Sequence, residues 1–144
     1  MDYLFCKKET QMTYSELILI PSFIDRYKAL KLSGTVGEDT FGYKRYLNQI
    51  LYKSKEWASV RRRVIARDNG FDLAHEDFPI AGKIYVHHIT PITPEQILQR
   101  DPLAFDLENL ISVSNATHNA IHFGDESLLP IAPPERIPGD TTLW

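Results

Sequence analysis

Two short stretches of this 144-residue chain read as β-strands, and what surrounds them reads as helix, turn or loop. In the first, Lys83–His88, the residues alternate, with Ile84, Val86 and His88 on one face and Tyr85 and His87 on the other. The second is Leu110–Val113. Two strands make only a ribbon, which has to be supported by helices. The expected fold class is therefore α+β, mainly helical, with a small antiparallel two-strand-plus-helix motif in the C-terminal half.

The helix signals frame that motif. Thr13-Tyr14-Ser15-Glu16 fits a capping box, so a helix starts near residue 14, and Pro21 kinks or restarts it. Phe23, Tyr27, Leu30 and Leu32 carry an apolar face onward to a loop punctuated by Gly34, Gly37 and Gly42. A helix is predicted over 43–53 and another over 55–68, capped by Ser54 and ended at Asn69-Gly70. Thr93-Pro94-Glu95-Gln96 opens a short helix to about Arg100. Ser114 or Asn115 caps a last helix through His122, stopped by Gly124. The chain divides into an N-terminal helical and loop extension (1–54), a core with its lead-in helix (55–124) and an extended proline-rich tail (125–144), all within one compact domain.

Composition removes several classes. With 43% hydrophobic and 24% charged residues the chain is globular rather than disordered. A single cysteine, Cys6, excludes an intramolecular disulfide and a cysteine-rich zinc site. No apolar run has the length of a membrane span, and the polar opening residues, with Asp2 and Glu9, do not read as a secretory signal. A cytoplasmic location is expected. The net charge of −3 argues at first against a nucleic-acid partner, but it is unevenly spread: −1 over 1–42, +7 over 43–67 and −9 over 68–144. Tyr43, Tyr46, Tyr52 and Trp57 interleave the basic segment. Such a segment attracts a phosphate backbone, and equally serves as a solvated helix face paired with the acidic C-terminal half.

Four of the five histidines lie between residues 87 and 122. His118 and His122 are four apart on a predicted helix and share a face. His87 and His88 are adjacent on a predicted strand and point to opposite faces. One of that pair can join the helical histidines around an ion, and the other stays free for proton transfer. Three neutral imidazoles leave coordination positions open for water and substrate, as catalytic metal sites do. Asn109, at the start of the second strand, is placed to brace the intervening loop.

The run His87-His88-Ile89-Thr90-Pro91, then Asn109-Leu110, then His118 and His122, resembles the HNH endonucleases, whose small metal motif is two strands and a helix (the ββα-metal fold). Trp57-x-x-x-Arg61 and Arg67-Asp68 resemble the helix that precedes this motif. The likeness is closest to HNH proteins of tailed phages and prophages, through Thr40-Phe41-Gly42, Arg45–Gln49, Arg67–Gly70, Thr117–His122 and the closing Asp140–Trp144. It covers roughly residue 30 onward. Many relatives hold a structural zinc with two Cys-x-x-Cys pairs. Here those positions are Asp72 and His75, then Ser114 and Thr117, so no structural zinc is expected. Asp72 and His75 fit either a second ion site or, more readily, a surface turn.

The resemblance implies a metal-dependent endonuclease that hydrolyses DNA phosphodiester bonds to 5′-phosphate and 3′-hydroxyl ends. By it, His88 is the general base, Asn109 orients the loop that presents His88, and His87, His118 and His122 hold one divalent ion. That ion is Mg²⁺, Mn²⁺, Ni²⁺, Co²⁺ or Zn²⁺, and imidazole donors suit Mg²⁺ least. Lys53, Lys55, Arg61, Arg62, Arg63 and Arg67 are the expected backbone contacts, though one helix cannot turn all of them to one groove. The implied setting is DNA processing or packaging in a bacterial host, with the phage terminase a candidate partner. The alternative is a non-catalytic DNA-binding accessory of the packaging machinery that keeps the fold and metal as scaffold. The +7 segment beside the motif disfavours a structural metal protein unrelated to nucleic acid.

Overall fold

The computed structural model describes residues 12–30 and 42–131, with side chains of the second span from residue 46. Cys6, Leu32, the glycine loop from Gly34, Thr40-Phe41, the tail from residue 132 and Asp140–Trp144 lie outside the described residues. The protein is α+β. Its helices are α1 (Tyr14–Leu17), α2 (Phe23–Leu30), α3 (Gly42–Tyr52), α4 (Lys55–Asp68), α5 (Pro94–Leu98) and α6 (Asn115–Phe123). Strands β1 (Tyr85–His88) and β2 (Leu110–Val113) pair antiparallel in the register Tyr85↔Val113, Val86↔Ser112, His87↔Ile111 and His88↔Leu110. No helix among the described residues is long and apolar enough to cross a membrane.

Local chemistry sets the helix ends. Thr13 Oγ1 accepts from the Glu16 N–H and Glu16 Oε1 from the Thr13 N–H, which closes the capping box of α1. Pro21 restarts the helix rather than kinking it, because α1 stops at Leu17 and α2 begins at Phe23. Ser54 and Ser114 cap α4 and α6, each accepting from the N–H three residues on. Asn69 (φ 56°) and Gly124 (φ 62°) end them in the left-handed region. β1 begins at Tyr85, two residues later than the alternation suggests, because β2 has only four residues to pair with it. α5 ends at Leu98, just before Arg100 takes a positive φ of 56°. Short 3₁₀ turns at Asp72–Ala74, Pro102–Phe105 and Leu107–Asn109 fill the connections.

The ribbon lies between two apolar clusters. On one face Leu110 and Val86 pack with Trp57, Val60 and Val64 of α4. On the other, Ile111 and Val113 join Ala120 and Ile121 of α6 with Leu17, Phe23, Tyr27 and Leu30 of the N-terminal helices. Residues 14–30 thus build the core that supports α6. With both faces covered, all four β2 residues are buried.

Buried charges fasten the loops. Arg26 donates to the carbonyls of Ile18, Ile20 and Leu73, at 3.0, 2.7 and 2.8 Å. Asp68 accepts from the Ser112 N–H at 2.9 Å and so ties α4 to β2. Asp72 is 2% exposed, which excludes the surface-turn reading. Its Oδ2 accepts from the hydroxyls of Ser114 (2.7 Å) and Thr117 (2.6 Å), and its Oδ1 from the Ser114 N–H (3.2 Å). The carboxylate therefore clamps the first turn of α6, where it also meets the positive end of the helix dipole. Burial pushes the Asp72 carboxyl up, against the opposing pull of those hydrogen bonds. Replacing Asp72 by Ala removes the acceptor shared by the Ser114 N–H and the Ser114 and Thr117 hydroxyls. It should cost about 3 kcal/mol, read as a lower midpoint in urea unfolding; an unchanged midpoint would show that the clamp contributes nothing.

Candidate metal centre

Alternation along β1 separates the two adjacent histidines. His87 faces α6 and His88 faces α4, and both are 7% exposed. On α6, His118 and His122 stand one turn apart with ring centroids 4.3 Å from each other. Their rings lie 6.0 and 5.6 Å from that of His87. One ring nitrogen from each of the three falls within 4.8 Å of the others. Tyr85 stacks on His118 at 5.2 Å and holds its ring from the side, under the Lys83 ammonium at 5.0 Å.

The electrostatics leave these nitrogens with free lone pairs. Burial, with the neighbouring imidazoles adding to it, brings His87 down to about 3. Burial and His122 bring His118 down to about 4, against the pull of Asn119. Burial also lowers His122. The donor set suits one divalent ion: three neutral imidazoles, convergent and partly shielded from water.

His88 is held differently. Its Nε2 lies 3.0 Å from the Ala104 carbonyl oxygen. A carbonyl only accepts, so Nε2 carries the proton and Nδ1 keeps its lone pair. Trp57 covers the ring at 5.3 Å, and Tyr52 lies at 6.4 Å. Burial lowers the His88 pKa, and the bond to Ala104 opposes it. Asn109 braces the surrounding loops. Its Oδ1 accepts from the Thr90 N–H at 2.7 Å, and its Nδ2 donates to the carbonyls of Thr90 (3.1 Å) and Leu103 (3.3 Å). It thus fixes the turn just after His88 and the loop that supplies the Ala104 carbonyl. All four histidines open into one cleft of about 190 Å³.

Asp72 and His75 do not form a second ion site. Asp72 is committed to α6, while the His75 ring bonds the Pro21 carbonyl through Nε2 (3.0 Å) and the Asp77 N–H through Nδ1 (3.2 Å). The basic residues separate as well. Lys53, Lys55, Arg62 and Arg63 are exposed. Arg61 is half-buried and donates to the Ile84 carbonyl at 2.7 Å. Arg67 departs from its expected role at a phosphate. Its guanidinium donates to the carbonyls of Leu107 and Leu110, both at 2.7 Å, pairs with Asp68 at 2.8 Å, and lies 3.4 Å over the Tyr14 ring. It is an internal tie, and sequence spacing alone does not distinguish it from its exposed neighbours. Ala104 and Tyr52 escape the sequence as site residues, since only tertiary contacts bring them beside His88.

No family model, curated protein or solved structure matches the chain.

The buried imidazoles make acid stability a direct readout of the site. Their folded pKa values lie below the ordinary ~6.5, so below that pH the unfolded chain binds more protons than the fold does. Stability of the metal-free protein should be level above about pH 7.5 and fall as pH drops through 6.5, with His87 alone withholding about 1.4 kcal/mol per further pH unit. Thermal melts in chelator from pH 8 to 5 should show the decline, and His87→Leu should reduce it. A melting temperature that is flat or rises on acidification would contradict the burial described.

Proposed function

We propose that the chain is a metal-dependent endonuclease of the HNH, ββα-metal type that hydrolyses DNA phosphodiester bonds to 5′-phosphate and 3′-hydroxyl ends. One observation carries this reading: three histidines each bring a ring nitrogen within 4.8 Å of the others, while the fourth is turned to the other face by the strand and tethered through Nε2. A scaffold would need the first three and not the fourth.

In this reading His87, His118 and His122 hold one divalent ion, and when bound it supplies charge neutralisation at the phosphate and the leaving 3′ oxygen. His88 takes a proton from the attacking water on Nδ1. The resulting imidazolium keeps its Nε2–H on the Ala104 carbonyl, which stabilises the added charge. Asn109 keeps that geometry by holding the His88 turn and the Ala104 loop together. The ring is neutral near pH 7, as a base must be. Lys53, Lys55, Arg62 and Arg63 contact the phosphate backbone and position the strand without reading sequence. The sequence resemblance extends the proposal to phage or prophage DNA processing in the bacterial cytoplasm, alongside a terminase.

Nicking of supercoiled plasmid across Mg²⁺, Mn²⁺, Ni²⁺, Co²⁺ and Zn²⁺ tests the reading. The wild-type protein should convert supercoiled to open-circular DNA with at least one of these ions. His88→Ala should slow the conversion by roughly 100-fold or more, the usual contribution of a general base. Wild-type rates from His88→Ala would remove His88 from the base role.

A further inference from the structure

The cleft also has a wall from α3. Asn48 and Tyr52, one helical turn apart, both line it, and apart from the histidines the remaining lining is apolar, with Leu51, Val86, Pro91, Ile92 and Pro94. No lysine or arginine is among the lining residues. This wall is therefore built for something other than phosphate charge. The cavity, about 190 Å³, is smaller than the ~300–1,000 Å³ of pockets that enclose a whole small ligand. It fits one unit of a longer chain.

The two polar residues on the wall match a nucleoside. Tyr52 is 47% exposed, yet its ring is seated edge-to-face on the buried Trp57 at 5.0 Å. An aromatic ring that is supported by a buried neighbour, half-exposed and lining a cleft suits a stacking platform. Asn48 is half-buried at the same wall, and its amide has no hydrogen-bond partner among the described residues. An amide both donates and accepts, as a base edge or a sugar does. Trp57 also covers His88, so the platform and the proposed base share one support.

Resting on the nuclease reading, we propose that Tyr52 and Asn48 seat the nucleoside next to the scissile phosphate. Tyr52 stacks on its base and Asn48 hydrogen-bonds it. A ring inside a cleft meets the face of a base only when that base has left the duplex stack, so the favoured substrate is DNA unpaired at this position.

Steady-state cleavage of one labelled oligonucleotide, single-stranded and as a duplex, tests this with whichever divalent ion supports plasmid nicking. The wild-type protein should cleave the single strand with the lower KM. Tyr52→Ala and Tyr52→Leu should raise that KM roughly tenfold with kcat within about threefold, while Tyr52→Phe, which keeps the ring, should stay near wild type. Asn48→Ala should raise the same KM by a smaller factor. Tyr52→Leu preserves bulk, so a KM rise in it at an unchanged melting temperature separates lost stacking from lost folding. An unchanged KM in both Tyr52→Ala and Tyr52→Leu, or a wild-type preference for duplex, would overturn the proposal and leave the nuclease reading intact. Failure of the wild-type protein to cut either oligonucleotide or the plasmid with any of the ions would overturn both.

Discussion

Successive residues of a strand point to opposite faces of its sheet, and here that rule acts on two adjacent histidines. β1 pairs with β2 through His87↔Ile111 and His88↔Leu110, and both faces of the ribbon are covered. His87 is thereby committed to α6 and His88 to α4. A slip of one residue would exchange them, placing the tethered ring among the converging nitrogens and removing the other from them. The packing of β1 opposes that slip, because it would take Val86 out of the cluster with α4 and Tyr85 out of the cluster with α6.

A two-stranded ribbon cannot hold such a register by itself. The apolar clusters on its two faces supply part of the support, and buried polar ties supply the rest. Asp68 joins α4 to β2, Arg67 joins α4 to the carbonyls on either side of Asn109, and Asp72 fixes the first turn of α6. Each tie ends within a few residues of a histidine or of Asn109. Asp72, Ser114 and Thr117 hydrogen-bond to one another at the start of α6. Packing and these ties hold the motif, with α1 and α2 completing the core behind α6.

Much of this was legible in the sequence because it depends on local rules. The four-residue spacing of His118 and His122 puts them on one helix face, the adjacency of His87 and His88 splits them, and the caps at Thr13, Ser54, Thr93 and Ser114 are short-range. Asn109 as a brace for the loop also follows from its place at the strand's start. What escaped depends on contacts between distant segments. Asp72 and Arg67 lie in stretches that read as surface, yet both are drawn inward by partners about forty residues away or more. The Ala104 carbonyl belongs to a residue with no polar side chain, so no motif points to it. Tyr52 counted in the sequence only as an aromatic in a basic segment, and its place at the cleft follows from the packing of α3 against α4 and α5.

The central claim is the division between His87 and His88, and metal affinity in the two single variants tests it most directly. Calorimetric titration of Zn²⁺ or Ni²⁺ into the metal-free protein should give one site per chain, retained in His88→Ala and weakened by at least tenfold in His87→Ala. Equal loss in both variants, or loss only in His88→Ala, would contradict the assignment that the register of β1 imposes.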